Sequence, residues 1–251
     1  FAVGLSGIAV AALVHNQMDR IVLSNLLRLE DFGYYVLAAM TTGVLYKIIG
    51  PIHAAFFPKL SAHAGHDDHT EVAMVYHRGC QTMSVLLLPM AAILAVFSKE
   101  ILILWTRDPV LADNSYVALS LLSIASALVG TAHFPYVIQL AYRWTRLAFV
   151  AEVTMALLTV PLLFGLTRLW GVAGAPCVPI ILYAIYMVTV VPSVHRRFLR
   201  GELRKWYIHD VAFPLAACLL VVAPCRFVIH HDISKPALAV SLAALLLSAI
   251  A

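Results

Sequence analysis

Stretches of about 20 mostly apolar residues, the length that crosses a hydrocarbon core of about 30 Å as a helix, recur along the whole 251-residue chain with only short polar breaks. Backbone groups in lipid must be hydrogen-bonded within a helix or around a closed barrel. Barrel strands are alternating runs of roughly ten residues, far shorter than the runs seen here. The expected fold is therefore all-α, a polytopic membrane helical bundle of about eight transmembrane helices. Composition points the same way: 12% of residues are charged, where a soluble domain carries roughly 25%.

Apolar runs read against turn and charge signals predict spans near 1–27, 34–57, 80–97, 116–141, 147–166, 171–192, 211–229 and 236–251. The longest connection runs from Lys59 to Gly79, leaving no room for a globular extramembrane domain. The chain begins with Phe1 and stops within an apolar run, so it reads as a fragment with a truncated last helix. No signal peptide is recognisable, since the opening run lacks a basic flank and a cleavage site. Cys80, Cys177, Cys218 and Cys225 fall in or beside apolar runs without metal-ligand or disulfide spacing, and are expected to be small core residues.

Orientation follows from lysine and arginine, because basic loops are retained in the cytoplasm. One alternate set of loops holds nine: Lys59, Arg78, Arg143, Arg146, Arg196, Arg197, Arg200, Arg204 and Lys205. The other holds six: Arg28, Lys99, Arg107, Arg168, Arg226 and Lys235. The stretch 193–210 is thus expected to be a basic cytoplasmic loop with Trp206 and Tyr207 as interfacial anchors. The net charge of +4 is then a topology signal and calls for no nucleic acid.

Ionisable residues within a membrane span are costly, and by default they face a bundle interior or a wet cavity. Asp19, Arg20, Lys47 and Glu152 are the candidates. At about 100° per residue, His15, Asn16, Asp19 and Arg20 share one sector of the first helix, leaving Gln17 and Met18 outside it. Lys47 lies about 20 Å into the second span at 1.5 Å per residue, flanked on its own face by Gly43 and Gly50. A Lys47–Asp19 bridge between these helices is one reading, in which Asp19, Arg20 and Lys47 neutralise one another. The other is that they line a substrate path, and the two can coexist. Glu152 either serves the cavity, in substrate binding or ion coupling, or reaches the interface near Arg146. His133 and Gln139 either face the cavity or satisfy a helix neighbour. The connector carrying His63, His66, Asp67, Asp68, His69 and later His77 spreads its imidazoles around a helix with no cysteine among them. It is read as a solvated linker, with no metal site. No cofactor is expected, and no nucleotide-binding or hydrolase motif is present.

The runs Gln17-Met18-Asp19-Arg20-Ile21-Val22-Leu23-Ser24, Leu29-Glu30-Asp31-Phe32-Gly33-Tyr34-Tyr35 and Pro51-Ile52-His53-Ala54-Ala55-Phe56-Phe57-Pro58-Lys59-Leu60-Ser61, with Trp170-Gly171-Val172-Ala173-Gly174-Ala175 further on, resemble the second lobe of Wzx-type polysaccharide biosynthesis proteins. These belong to the multidrug/oligosaccharidyl-lipid/polysaccharide exporter superfamily. The resemblance implies two six-helix lobes plus two extra helices: residues 1–192 would be the second lobe, 193–210 the basic cytoplasmic loop, and 211–251 the accessory pair. It further implies a multi-pass protein of the bacterial inner membrane, not an enzyme, that flips undecaprenyl-pyrophosphate-linked repeat units by alternating access. Arg20 and Lys47 would then meet the pyrophosphate or an acidic sugar, with Asp19 as exchange partner or coupling site and His15 and Asn16 beside them. The implied partners are the lipid-linked oligosaccharide, membrane lipids and other polysaccharide assembly proteins. The chain departs from a strongly cationic cavity, since Asp19, Arg20, Lys47 and Glu152 sum to zero charge.

Three other readings stand beside it. A multidrug or organic-cation antiporter of the same superfamily would use Asp19 or Glu152 to bind a cation or proton. A polymerase or ligase acting on the same lipid carrier would resemble its class in a large periplasmic loop, which this region lacks. A non-transporting membrane subunit of an export complex is the third.

Overall fold

The computed structural model describes residues 2–66 and 69–231. The expected eighth span, 236–251, lies outside the described residues, as do Asp67 and Asp68 of the connector. The described chain runs through Ala2–Leu26 (α1), Leu29–Gly65 (α2), His69–Val96 (α3), Ser98–Thr106 (α4), Pro109–Ala141 (α5), Thr145–Trp170 (α6), a 3₁₀ turn at Gly171–Ala173, Gly174–Phe198 (α7), Leu203–Lys205 (α8), a π-helical stretch Trp206–Ala212, and Phe213–His231 (α9). Among the described residues there is no strand.

Local chemistry sets the breaks. Glu30 and Asp31 sit in the first turn of α2, where carboxylates favour the positive end of the helix dipole. Asp108 caps α5 by accepting from the backbone N–H of Val110 (2.8 Å) and Leu111 (3.2 Å), and Pro109 fills the first helical position, where its missing N–H costs nothing. At the close of α6, Gly171 takes φ +58° and ψ −137°, a conformation that favours glycine. Three residues later the backbone of Gly174 passes so near the Leu166 carbonyl that an added Cβ would lie 2.1 Å from its oxygen.

Among the described residues, five stretches are long and apolar enough to cross a membrane: α2, α3, α5, the run Thr145–Phe198 that contains both α6 and α7, and Leu203–Val222. Leu13, Leu157, Val188 and Leu220 stand exposed on the outer faces, as suits helices solvated by lipid. The protein is a multi-pass, all-α membrane bundle.

Two expectations change. The connector expected from Lys59 to Gly79 is largely helical, because α2 runs on to Gly65 and α3 starts at His69. At 37 residues and 1.5 Å each, α2 is about 55 Å long, so it projects well past a core of about 30 Å. The stretch 193–210 is likewise no loop. α7 continues to Phe198, and after a turn the chain resumes as α8 and the π-helical stretch. Trp206 is fully buried rather than interfacial, with its ring against His195 and Tyr207.

What pulls this segment inward is a polar cluster on α3. His77, expected in a solvated connector, is buried. Its Nδ1 donates to Asp210 Oδ2 and its Nε2 to Glu202 Oε2 at 2.9 Å. Gln81 donates to the other Asp210 oxygen at 2.9 Å, and the Ser84 hydroxyl donates to the Asp210 carbonyl. Burial pushes the Glu202 carboxyl up, but the His77 hydrogen bond and the charge of Lys205 outweigh it and hold the carboxyl below the usual range.

Although only Leu27 and Arg28 separate α1 from α2, the two helices diverge. α1 packs along α6, while α2 packs on α5 and α3, and α5 and α6 both pack on α7. One apolar core, with Leu23, Tyr35, Leu102, Leu119, Leu163 and Val178, fills the end of the bundle nearest the α1–α2 connection. A second, with Leu60, Tyr76, Phe134, Met155, Val194 and Trp206, fills the opposite end. Between α1–α6 on one side and α2–α5–α7 on the other, the interior stays open.

Candidate functional site

That opening is a cavity of about 580 Å³ lined by α1, α2, α5, α6 and α7. The helical period assembles it. Ile8, Ala12, His15 and Asp19 succeed one another at three- and four-residue steps on α1, as do Tyr35, Ala39, Thr42 and Tyr46 on α2 and Glu152, Met155, Thr159 and Leu163 on α6. Residues so spaced share one helix face. Ala12, Ala39, Gly43, Ala125 and Ala175 put little side-chain volume into the cavity, which leaves room for the larger polar side chains.

Two carboxylates enter from the wall formed by α1 and α6. On the α1 side, Asp19 Oδ2 accepts from the Tyr35 hydroxyl at 2.7 Å while Oδ1 accepts from the Arg20 backbone N–H at 2.8 Å. On the α6 side, Glu152 Oε1 accepts from His15 Nδ1 at 3.1 Å. The second ring nitrogen of His15 faces the Thr159 hydroxyl at 3.5 Å. That hydroxyl already donates to the Met155 carbonyl at 2.8 Å, which leaves its oxygen to accept. His15 therefore ties α1 to α6 with an acceptor before each ring nitrogen. The side chains of His15 and Glu152 keep 14% and 20% of their surface accessible, enough for a solute in the cavity to reach them.

Deeper toward the α5–α6 connection, His133 lines the cavity and shares a hydrogen bond with His53 at 3.0 Å. Tyrosines supply the rest of the polar surface: Tyr35, Tyr46, Tyr136, Tyr183 and Tyr186 all line the cavity. Gln139 does not. It is fully buried behind the wall, donating to the Pro135 carbonyl (2.9 Å) and to the Tyr186 hydroxyl (3.3 Å), and so fixes a cavity tyrosine from the second layer.

Of the residues singled out in the sequence, His15, Asp19, Arg20, Glu152 and His133 come together at this cavity. Arg20 is exposed at its rim. The side chain of Asn16 lies outside the described residues. Lys47 stands apart: one position beyond Tyr46, it projects about 100° away, exposed on the flank of α2 and not among the lining residues. The bridge between Lys47 and Asp19 is not formed, because α1 and α2 diverge and Asp19 is taken up by Tyr35. Sequence reasoning passed over the tyrosines. Their helical steps, eleven residues from Tyr35 to Tyr46 and three from Tyr183 to Tyr186, are visible, but nothing in one sequence says which faces α2 and α7 turn toward α1 and α6. Among the described residues no group of three or more histidine, cysteine or carboxylate side chains could hold a metal ion.

Residues 1–107 match the family model described as polysaccharide biosynthesis protein. The matched segment spans α1 to α4 and brings His15, Asp19, Arg20, Tyr35 and Tyr46 to the cavity, while Glu152 and the remaining tyrosines lie beyond it. Neither the curated proteins nor the solved structures contain a match to this chain.

Proposed function

We propose that this chain forms part of a flippase that moves undecaprenyl-pyrophosphate-linked oligosaccharide repeat units across the bacterial inner membrane for surface polysaccharide biosynthesis. The observation that carries this reading is a tyrosine-rich cavity of about 580 Å³ that brings charged side chains into an otherwise apolar bundle, in a chain whose first 107 residues are similar to polysaccharide biosynthesis proteins. Such a cavity answers the physical problem of flipping: hydrophilic sugars need shelter from lipid, whereas a polyprenyl tail can stay in the bilayer. The Thr159 hydroxyl that faces His15 donates to the Met155 carbonyl, which leaves His15 no nucleophile proton to take, and transport suits the cavity better than catalysis.

In this reading residues 1–192 belong to one lobe, the stretch 193–210 lies on the cytoplasmic side, and α9 is an accessory helix. Alternating access is the rocking of this lobe against a second one. Arg20 at the rim meets the diphosphate, with Asp19 beside it as exchange partner. Lys47 belongs to the path only where the flank of α2 borders the second lobe. The Glu152–His15 pair holds α1 against α6 and makes polar contact with the cargo.

One observation favours a second reading. With Lys47 outside, the cavity holds two carboxylates and several tyrosine faces, a combination that also attracts organic cations. Reconstitution of the full-length protein in vesicles separates the two. Under the first reading a fluorescent lipid-linked oligosaccharide becomes accessible across the bilayer. If no oligosaccharide lipid moves and a cationic dye is expelled down a proton gradient instead, the antiporter reading replaces it.

A further inference from the structure

The charge and surface of the cavity restrict which sugars it can take, an inference that rests on the flippase reading. Its lining residues carry two carboxylates, Asp19 and Glu152, against one guanidinium, Arg20. His15 is committed to Glu152, and the lysine that would have equalised the charges, Lys47, lies outside the lining. Asp19 on α1 and Glu152 on α6 both line the cavity, on the two helices that pack together as one of its walls.

Each carboxylate has a donor of its own, Tyr35 for Asp19 and His15 for Glu152, and an ionised carboxylate has about four lone-pair sites. Acceptor capacity therefore remains for donors brought by a cargo. Sugar hydroxyls and amide N–H groups are such donors, and the rings of Tyr46, Tyr136 and Tyr183, all on the lining, offer flat apolar faces to the C–H faces of a pyranose. A carboxylate on the cargo brings no donor. It would meet like charge at separations where the repulsion is weakly screened, with only Arg20, at the rim, to pair with.

We infer that the sugars accepted by this cavity carry no acid group: neutral or N-acylated residues rest on the tyrosine faces and donate hydrogen bonds to Asp19 and Glu152, whereas uronic-acid-type residues are turned away.

The test uses full-length protein reconstituted in vesicles with two undecaprenyl-diphosphate-linked disaccharides that differ only in one sugar, N-acetylglucosamine in one and glucuronic acid in the other. The neutral substrate is expected to flip at least tenfold faster, and Glu152→Gln and Asp19→Asn, which keep hydrogen-bond acceptors but remove charge, are expected to shrink that ratio severalfold. Equal rates for the two substrates, or a faster acidic one, would overturn the inference while leaving the flippase reading intact. A ratio unchanged in both variants would overturn the assignment to these carboxylates. If neither substrate flips, the flippase reading falls and this inference falls with it.

Discussion

The imidazole of His15 on α1 and the carboxylate of Glu152 on α6 meet at 3.1 Å across 137 positions of sequence, joining the two helices that form one wall of the cavity. A single hydrogen bond adds only about 1 kcal/mol net to stability, so the pair is better placed to shape the cavity than to hold the fold. Glu152→Ala is accordingly expected to lower flipping at least tenfold while changing unfolding stability by about 1 kcal/mol. Parallel transport and denaturation assays on the same preparation check this. A variant that unfolds without a transport defect in its folded fraction would make the pair structural.

A buried counterpart lies outside the cavity. Asp210 is fully buried and takes its hydrogen bonds from His77 and Gln81. Removing the imidazole strands a buried carboxylate, a change that costs about 3–5 kcal/mol. His77→Ala is therefore expected to destabilise the bundle by that amount, and the double variant His77→Ala/Asp210→Ala to recover part of the loss. Chemical denaturation in detergent reads both. A loss no larger in the single than in the double variant would contradict the coupling.

Glycine substitutions separate two neighbouring sites on α6 and α7. A Cβ at Gly174 would meet backbone, the Leu166 carbonyl oxygen at 2.1 Å, and backbone cannot swing aside as a side-chain tip can. Gly174→Ala is expected to cost at least about 2 kcal/mol, the scale of overpacking in a filled interior. Gly165, inside α6, has nothing within 4 Å of its added Cβ, so Gly165→Ala is expected to be neutral or to gain up to about 1 kcal/mol of helix propensity. Thermal unfolding of the two variants side by side distinguishes these outcomes.

Acid sensitivity follows from Glu202, whose carboxyl is held below its ordinary value by His77 and Lys205 despite the opposing effect of burial. The folded state then binds fewer protons than the unfolded one. The resulting stabilisation is complete above the unfolded value of about 4.3 and is lost as pH falls through the lower folded value. Wild type is expected to lose stability more steeply than Glu202→Gln between about pH 5 and pH 3. Parallel curves for the two proteins would remove Glu202 from the acid response.

Period and hydropathy made the helices legible, and the polar interruption His15–Arg20 with Glu152 marked side chains that do reach the cavity. What could not be read was the pairing of helices. Chain order suggested that α1 lies against α2, and hence a Lys47–Asp19 bridge, yet α1 packs on α6, so that His15 finds Glu152 and Asp19 finds Tyr35. Trp206 and Asp210 misled for the same reason. Basic neighbours mark a cytoplasmic loop with Trp206 as an interfacial anchor, and only the buried His77 on α3 explains why the segment folds inward.

The most direct measurement follows the passage of a fluorescent undecaprenyl-diphosphate-linked oligosaccharide across vesicles containing the full-length protein, with Arg20→Ala as the comparison. The expected result is protein-dependent flipping that falls at least tenfold in the variant while folding is retained. Absence of flipping by the wild-type protein, or an undiminished rate in Arg20→Ala, would contradict the account.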